Sequence, residues 1–304
     1  YFFAAALVIF FLGLKDDLMI LSATKKFIGQ IIAASILIHL GNIRLDSMHG
    51  VLGFNELPEA FSLALSYLTI IVVMNSFNLI DGVDGLASSL GILTMIVFGA
   101  YFFAIDFQAY ALLSFSMAGS LVAFLIFNHQ PAKIFMGDSG SLMIGLINSI
   151  LVIKFINVAD APFVAVQVPA AVAVGFSILI VPLLDTLRVF SIRILNGRSP
   201  FTPDRNHVHH LLLDRGLSHS AVTLTCVGVN VFFIGLAWLA KPIGPNYLLL
   251  AMLVLAFTGL GMLYYGNTRR RLVVASDADG RVKLKKTRRL SSTLVKETSK
   301  ISNN

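Results

Sequence analysis

The chain has 304 residues, of which 57% are hydrophobic and 13% are charged, and its mean hydropathy is +0.83. Soluble domains carry about 25% charged residues, so this composition excludes an ordinary soluble protein and indicates an integral membrane protein. The formal net charge of +7 would suggest a nucleic-acid partner in a soluble protein, but here membrane orientation explains it better and we expect no nucleic acid.

Apolar runs along the chain predict nine membrane helices, most of them near the ~20 residues that a bilayer requires. They lie at about 1–14, 27–40, 59–77, 86–104, 110–128, 139–157, 164–187, 220–239 and 247–266. We therefore predict an all-α polytopic membrane protein. Residues 1–266 would form one transmembrane domain, and residues 267–304 a basic tail.

The first predicted span begins at residue 1 without a Met, a basic region or a small-residue cleavage site. A signal peptide carries a basic region and a cleavage site. We therefore expect the chain to be a fragment that lacks earlier spans.

The basic residues divide unevenly between the two sides of the membrane. Alternating spans place 20 of the 23 Lys and Arg residues on one side, and the other three are Arg44, Lys154 and Lys241. Basic loops stay in the cytoplasm. We predict that the basic side, including the tail, is cytoplasmic.

All dense polar clusters fall on the predicted cytoplasmic side. They are KDD at 15–17, TKK at 24–26, NLIDGVDG at 78–85, FNHQPAKIFMGDSGS at 127–141 and SPFTPDRNHVHH at 199–210. A charged Asp at the middle of a membrane helix costs roughly 2.5–3.5 kcal/mol, so polar clusters between apolar spans are expected at the span ends. Five separate loops that converge on one membrane face therefore predict a site.

The acidic residues of these clusters each have a structural alternative. Asp16 and Asp17 end the first span and could simply be solvated. Asp81 and Asp84 would share a face of a helical turn, although the glycine after each favours a tight loop that can approach a ligand. Asp138 opens the next span, where it could act as a helix N-cap or as a metal ligand.

The basic residues favour an anionic ligand. Three imidazoles, His207, His209 and His210, lie within four residues, and Arg193 and Arg205 are near them in sequence. Zinc is an alternative, but the segment has no cysteine and fits no common zinc-finger spacing. Arg and His both donate hydrogen bonds to phosphate oxygens.

Together the carboxylates and the basic residues predict a membrane enzyme. Carboxylates suit Mg²⁺, which commonly binds through one or two acids and the phosphates of a substrate. We therefore predict Mg²⁺-assisted phosphoryl transfer between a phosphate-bearing lipid and a soluble pyrophosphate donor. The rivals are an ion-coupled transporter and a lipid-binding scaffold. No predicted span centre holds an acid and no inverted repeat is evident, which disfavours the transporter.

Four motifs resemble, in order, those of the polyprenyl-phosphate N-acetylhexosamine-1-phosphate transferases. The motifs are GLKDDL, NSFNLIDGVDGLA, FNHQPAKIFMGDSGSLMIG and SPFTPDRNHVHHLLLDRG, and the resemblance runs over residues 1–266. The last motif is most similar to the WecA-type undecaprenyl-phosphate N-acetylglucosaminyl-1-phosphate transferases. The alternative is the MraY branch, which transfers the phospho-sugar from UDP-MurNAc-pentapeptide and releases UMP; the lysine of its acidic motif is replaced here by Ile20.

The resemblance implies a multi-pass enzyme of the bacterial inner membrane with about 10–11 helices, a cytoplasmic active site and a homodimeric assembly. It would use Mg²⁺, with Mn²⁺ as an alternative. It would transfer N-acetylglucosamine 1-phosphate, or a related N-acetylhexosamine 1-phosphate, from a UDP-sugar to undecaprenyl phosphate and release UMP. This is the first membrane step of a cell-envelope glycan pathway.

The resemblance also implies roles for particular residues. Asp16, Asp17 and Asp138 would be catalytic, with Asp138 and Asp16 at the metal, and Lys26 would lie near the lipid phosphate. The uridine pocket would comprise Asn78, Asp81, Asp84, Asn128 and Phe135. The donor's pyrophosphate and sugar would be held by Arg193, Arg205, His207, His209 and His210.

Overall fold

A computed structural model of the protein describes residues 1–195, 197, 207–265, 271–276 and 282–287. The helices in these ranges are α1 (Phe2–Leu18), α2 (Ala23–Ser35), α3 (Glu59–Ile80), α4 (Leu86–Ala104), α5 (Gln108–Asn128), α6 (Gly137–Ala159), α7 (Ala171–Ile178), α8 (Ile180–Leu195), α9 (Val208–Leu213), α10 (His219–Ala240) and α11 (Pro245–Tyr265). A π-helical turn, Ile36–Leu40, continues α2, and a 3₁₀ turn, Lys241–Ile243, follows α10. The predicted fold class is confirmed.

Seven membrane spans can be assigned within the described residues by length and composition, or eight if the bent pair α7 and α8 counts as one. The predicted first span corresponds to α1, which has 17 residues. The predicted continuous span at 164–187 is wrong, because α7 and α8 meet at 84°.

A proline explains the break between α7 and α8. Pro182 has no N–H, so it cannot donate to the carbonyl of Ile178 as the fourth residue on in a continuous helix would. The side chain of Asn230 on α10 replaces that bond, since its Nδ2 donates to the Ile178 oxygen at 2.9 Å. Its Oδ1 accepts from the nitrogen of Val181 at 3.2 Å. The broken backbone is therefore satisfied inside the protein, as a membrane interior requires.

Helix α6 is the central element of the fold. It packs against α1, α3 and α4, and 83% of its most apolar segment is buried. Glycines permit close approach: a Cβ atom added to Gly145 would lie 2.5 Å from the backbone of Met74 on α3, and one added to Gly13 on α1 would collide with the backbone of Ser139. This packing brings the start of α6 to the ends of α1 and α3.

A short hairpin, which the sequence analysis did not predict, precedes α3. Strands β1 (Ser47–Val51) and β2 (Phe54–Glu56) pair antiparallel. The turn between them has positive φ angles of 52° at Leu52 and 83° at Gly53. Asn246 holds it from the start of α11, accepting from the Leu52 nitrogen at 2.7 Å and donating to the Gly50 oxygen at 3.0 Å.

The chain divides into two compact units, residues 1–259 and 260–304. Within the second unit, strands β3 (Arg271–Ser276) and β4 (Val282–Thr287) form an antiparallel hairpin that pairs Arg271 with Thr287. This hairpin was also not predicted.

Candidate active site

Four predicted site residues meet at the ends of four helices. Asp16 lies near the end of α1, Lys26 in the first turn of α2, Asn78 in the last turn of α3 and Asp138 at the start of α6. The ammonium of Lys26 forms an ion pair with Asp16 and lies 2.6 Å from Oδ2 of Asp138. Asn78 Nδ2 donates to the other oxygen, Oδ1, of Asp138 at 2.9 Å. Residues up to 122 positions apart thus share one network of direct contacts.

Asp17 has a different role from its neighbour Asp16. Its carboxylate accepts from the backbone nitrogens of Asp138 at 2.7 Å and Ser139 at 3.1 Å, and from the Ser139 hydroxyl at 2.8 Å. The first N–H groups of a helix lack partners within the helix and favour a negative charge. Asp17 therefore caps α6, and the Asp138 carboxylate, which is not the cap, is turned toward Lys26 and Asn78.

A cavity of about 330 Å³ opens beside Asp138. All five residues predicted for the uridine pocket are in its lining, together with Asp138 itself: Asn78, Asp81, Asp84, Asn128 and Phe135. Phe135 is 81% exposed, so its ring is accessible at the cavity. The structure therefore brings these residues together, and their contact with uridine stays a prediction.

Asn128 shapes the cavity through its own hydrogen bonds. Its Oδ1 accepts from the nitrogen of Gly85 at 3.0 Å and from the hydroxyl of Ser88 at 3.1 Å, while Nδ2 donates to the oxygen of Ile134 at 3.0 Å. The side chain is 4% exposed. It joins the DGVDG loop to the loop that carries Phe135.

Asp84 also connects the DGVDG loop to two other segments of the chain. Its Oδ2 accepts from the nitrogen of Ala132 at 3.3 Å and lies 3.2 Å from Nδ1 of His219, at the start of α10. His219 is a residue that the sequence analysis missed, because no spacing or motif relates it to Asp84. These contacts fix the position of the cavity wall.

Asp81 has a strongly raised pKa. Burial, together with the nearby negative charges of Asp138 and Asp17, raises the pKa of Asp81 to about 7. Clustered like charges with perturbed pKa values are typical of functional sites. A bound cation would relieve this repulsion.

The histidine segment is anchored by Asp185 on α8. Oδ2 of Asp185 lies 2.8 Å from Nδ1 of His207, and Oδ1 accepts from the nitrogen of Val208 at 2.8 Å. Both acidic and imidazole side chains are buried. From the segment VPLLDTLRV, near a predicted cytoplasmic span end, Asp185 could be a partner of Arg188 or of another helix end, or could support the metal site. In the structure it binds the start of α9 through Val208.

His209 reaches the DGVDG loop. A Cβ atom on Gly82 would collide with its imidazole, and its ring centre lies 4.3 Å from that of His210 and 5.5 Å from that of His207. Burial lowers the pKa of His209 to about 4. His209 is therefore neutral at pH 7, and its buried Nδ1 has no hydrogen-bond partner among the described residues.

The two predicted arginines have different outcomes. Arg193 on α8 is 3% exposed, its guanidinium lies 6.0 Å from the ring centre of Phe190, and it is not in the described lining of the cavity. Arg205 lies outside the described residues.

The carboxylates at the helix ends fit a divalent cation that shares its coordination with a ligand. Asp16 and Asp138 both contact one ammonium group, that of Lys26, so the two carboxylates lie close enough to share one positive charge. Mg²⁺ commonly takes one or two carboxylates plus phosphate oxygens. Among the described side chains no group of three or more His, Cys, Asp or Glu residues could hold a metal by itself, so the zinc alternative at the histidines has no complete ligand set there.

Comparison with known proteins agrees with the four motifs. Residues 1–156 match the sequence profile described as Glycosyl transferase family 4. The decaprenyl-phosphate N-acetylglucosaminephosphotransferase of Mycobacterium leprae is 35% identical over 252 residues, which cover 75% of this chain and 62% of the relative. The probable undecaprenyl-phosphate N-acetylglucosaminyl 1-phosphate transferase of Bacillus subtilis is 34% identical over 75% of this chain and 62% of the relative.

A more distant relative covers more of the chain. The undecaprenyl-phosphate alpha-N-acetylglucosaminyl 1-phosphate transferase of Yersinia pestis is 26% identical over 89% of this chain and 73% of the relative. The chain spans about three fifths of the length of the mycobacterial relatives, 59–62%. The family expected from the motifs is confirmed, and the chain belongs to glycosyl transferase family 4.

Proposed function

We propose that the protein transfers N-acetylglucosamine 1-phosphate from UDP-N-acetylglucosamine to a polyprenyl phosphate and releases UMP. The observation that carries this proposal is the meeting of Asp16, Lys26, Asn78 and Asp138 beside a polar cavity at the ends of apolar helices. The reaction would need the lipid tail to stay in the bilayer while its phosphate meets a water-soluble donor. A site at the ends of apolar helices suits both requirements. The names of the relatives supply the sugar and the polyprenyl acceptor.

The cavity would hold the nucleoside of the donor. Its volume of about 330 Å³ lies at the lower end of the ~300–1,000 Å³ of small-molecule sites. The exposed ring of Phe135 would stack on uracil, and Asp81 would face its polar edge. His209, neutral and packed against Gly82, would donate one hydrogen bond to the donor.

Asp16 and Asp138 would hold Mg²⁺ or Mn²⁺. When bound, the cation would neutralise charge on the donor's pyrophosphate oxygens. Lys26, which bridges the two carboxylates, would then move its ammonium to the phosphate of the acceptor lipid. Asn78 would keep the Asp138 carboxylate oriented through the bond to Oδ1.

The transfer forms one bond and breaks one. An oxygen of the lipid phosphate attacks the β-phosphorus, the bond from that phosphorus to the bridging oxygen breaks, and UMP leaves. Phosphoryl transfer depends mainly on positioning and charge neutralisation, and Asp16 would accept any proton on the attacking oxygen or orient it. A route through an aspartyl phosphate is the alternative; inversion at phosphorus in a single turnover would exclude it.

We place this site on the cytoplasmic face of a bacterial inner membrane. The excess of basic residues in the loops on that side supports this orientation, and UDP-sugars are cytoplasmic solutes. A homodimer is proposed by analogy with the family.

One assay tests the proposal against its rivals. Membranes that contain the protein are incubated with UDP-N-acetylglucosamine, undecaprenyl phosphate and Mg²⁺, and UMP and a sugar-pyrophosphoryl lipid are measured. Formation of both products that is lost on chelation supports the proposal. Turnover with UDP-MurNAc-pentapeptide alone would assign the protein to the other branch, and solute transport without UMP would refute the enzyme.

A further inference from the structure

A pair of amide side chains lies one helical turn away from the site, between α2 and α3. Nε2 of Gln30 donates to Oδ1 of Asn75 at 3.3 Å, and Nδ2 of Asn75 donates to Oε1 of Gln30 at 2.8 Å. Gln30 is 2% exposed. Neither residue has a role in the proposed reaction, yet an amide within a membrane span is costly unless it is paired.

The spacing of the pair relates it directly to the site. Gln30 follows Lys26 by four residues on α2, and Asn75 precedes Asn78 by three residues on α3. Residues three or four apart occupy the same face of a helix. The amide bridge therefore lies behind the two donors that hold Asp138, Lys26 at Oδ2 and Asn78 at Oδ1.

We propose that Gln30 and Asn75 are positioning residues that set the relative rotation of α2 and α3, so that Lys26 and Asn78 hold the Asp138 carboxylate from its two sides. Two reciprocal hydrogen bonds are directional, and apolar side chains of similar size would fill the same space without fixing the rotation. Asn75 is itself oriented by a second bond from Nδ2 to the oxygen of Ile71, at 2.7 Å.

The same two helices provide a matched control at their other end. The Tyr67 hydroxyl on α3 lies 2.8 Å from Oγ of Ser35 and 3.1 Å from Nε2 of His39. These contacts also join α3 to α2 and to the π-helical turn that continues α2. They lie about two helical turns further from Lys26 than the amide pair does. A general structural role would give the two contacts similar effects, whereas a positioning role gives a functional effect to the amide pair alone.

The first experiment rests on the proposed function. UMP release is measured in membranes for Gln30→Leu, Asn75→Leu, the exchanged pair Gln30→Asn with Asn75→Gln, and Tyr67→Phe. We expect each leucine variant to lower kcat about 10- to 100-fold, the size of effect that a small misplacement produces, with a KM for UDP-sugar within about threefold of the unmodified protein. The exchanged pair restores most of the turnover, and Tyr67→Phe leaves it unchanged.

Turnover in Gln30→Leu equal to that of Tyr67→Phe would overturn the proposal. A loss of turnover caused only by a higher KM for UDP-sugar would also overturn it. The amide pair is proposed to position Lys26 and Asn78 on Asp138, and not to shape the cavity that would hold the UDP-sugar.

A second readout needs no turnover. Midpoints of thermal unfolding of the purified protein are compared in two double-mutant cycles, Gln30→Leu with Lys26→Ala and Tyr67→Phe with Lys26→Ala. Independent sites add, whereas residues in one network do not. We expect non-additive shifts in the first cycle and additive shifts in the second, and additive shifts in both cycles would overturn the positioning role. This test does not depend on turnover. If the unmodified protein releases no UMP, only the proposed function is refuted.

Discussion

The charged residues are arranged differently at the two ends of the helix pair α3 and α6. At the end where α3 begins and α6 ends, charges are paired and hydrogen-bonded: Arg44 Nε lies 2.9 Å from Asp46 Oδ1, and Asn157 Nδ2 donates to the Arg44 oxygen at 2.6 Å. At the opposite end, Asp16 and Asp138 share a single ammonium, that of Lys26, and burial with the nearby charges of Asp138 and Asp17 raises the pKa of Asp81.

This difference distinguishes an end of the molecule whose charges are paired, the structural end, from the end that is proposed to carry the reaction, the functional end. Charges that are already paired within the protein gain little further electrostatic energy when a ligand binds. At the functional end Asp16 and Asp138 share one ammonium and Asp81 lies near the charge of Asp138, so negative charge remains in excess there and a bound cation would be favoured. The following predictions test that separation.

Replacing the central carboxylate should have the largest effect. We expect Asp138→Asn to lower UMP release by about 10²–10³-fold, the usual cost of removing a group that stabilises developing charge, because the amide loses the charge while it keeps the size. The matched variant at the other end, Asp46→Asn, should retain turnover. Equal losses in the two variants would remove the distinction between the two ends.

Removing the crowded charge should stabilise the protein in a pH-dependent way. Asp81 has an ordinary pKa of 3.8 when unfolded and about 7 when folded. The folded protein thus retains the proton that the unfolded chain releases, and the contribution of Asp81 to stability falls as the pH rises from about 4 to 7.

We therefore expect Asp81→Asn to raise the free energy of unfolding by at most about 4 kcal/mol above pH 7 and to change it little at pH 4. Thermal unfolding of the metal-free protein at pH 4, 6 and 8 measures this. A gain that does not depend on pH would contradict the electrostatic cause.

The broken span gives a test in the membrane interior, between the two ends. Asn230→Leu removes the only side-chain partner of the Ile178 carbonyl that the structure describes and should cost about 1–3 kcal/mol, the penalty for an unsatisfied buried polar group. Because α8 also carries Asp185, turnover should fall as well.

Thermal unfolding and UMP release of Asn230→Leu are compared with those of Thr225→Val, on the same helix. Among the described residues, the Thr225 hydroxyl donates to the oxygen of Ala221 in its own helix and to no other helix. A loss of the same size in both variants would show that the break does not depend on Asn230.

The helices were predictable because long apolar runs are a one-dimensional signal. Eight of the nine predicted spans correspond to continuous helical segments with shifts of a few residues. The ninth was wrong because a hydropathy window averages over Pro182, and because the compensating Asn230 is 48 positions away in sequence.

The site was predictable as a set of residues but not as a set of contacts. The motifs indicated which carboxylates lie together, yet no spacing distinguished Asp16, which contacts Lys26, from Asp17, which caps α6 across 121 positions. The pairing of Asp84 with His219 had no sequence signal for the same reason. Contacts between distant segments depend on helix packing, which a single sequence does not display.

The smallest effect is expected at the structural end. Arg44 and Asp46 are 38% and 55% exposed, and exposed ion pairs contribute about 0–1 kcal/mol because solvent screens them. Arg44→Gln should therefore lower the free energy of unfolding by less than about 1 kcal/mol and leave both kcat and KM unchanged, while high salt should reduce even that difference. Thermal unfolding at low and high ionic strength checks the first expectation and UMP release the second. A fall in turnover would mean that the start of α3 affects the acids at the other end of the helix, and the separation between a structural and a functional end would no longer hold.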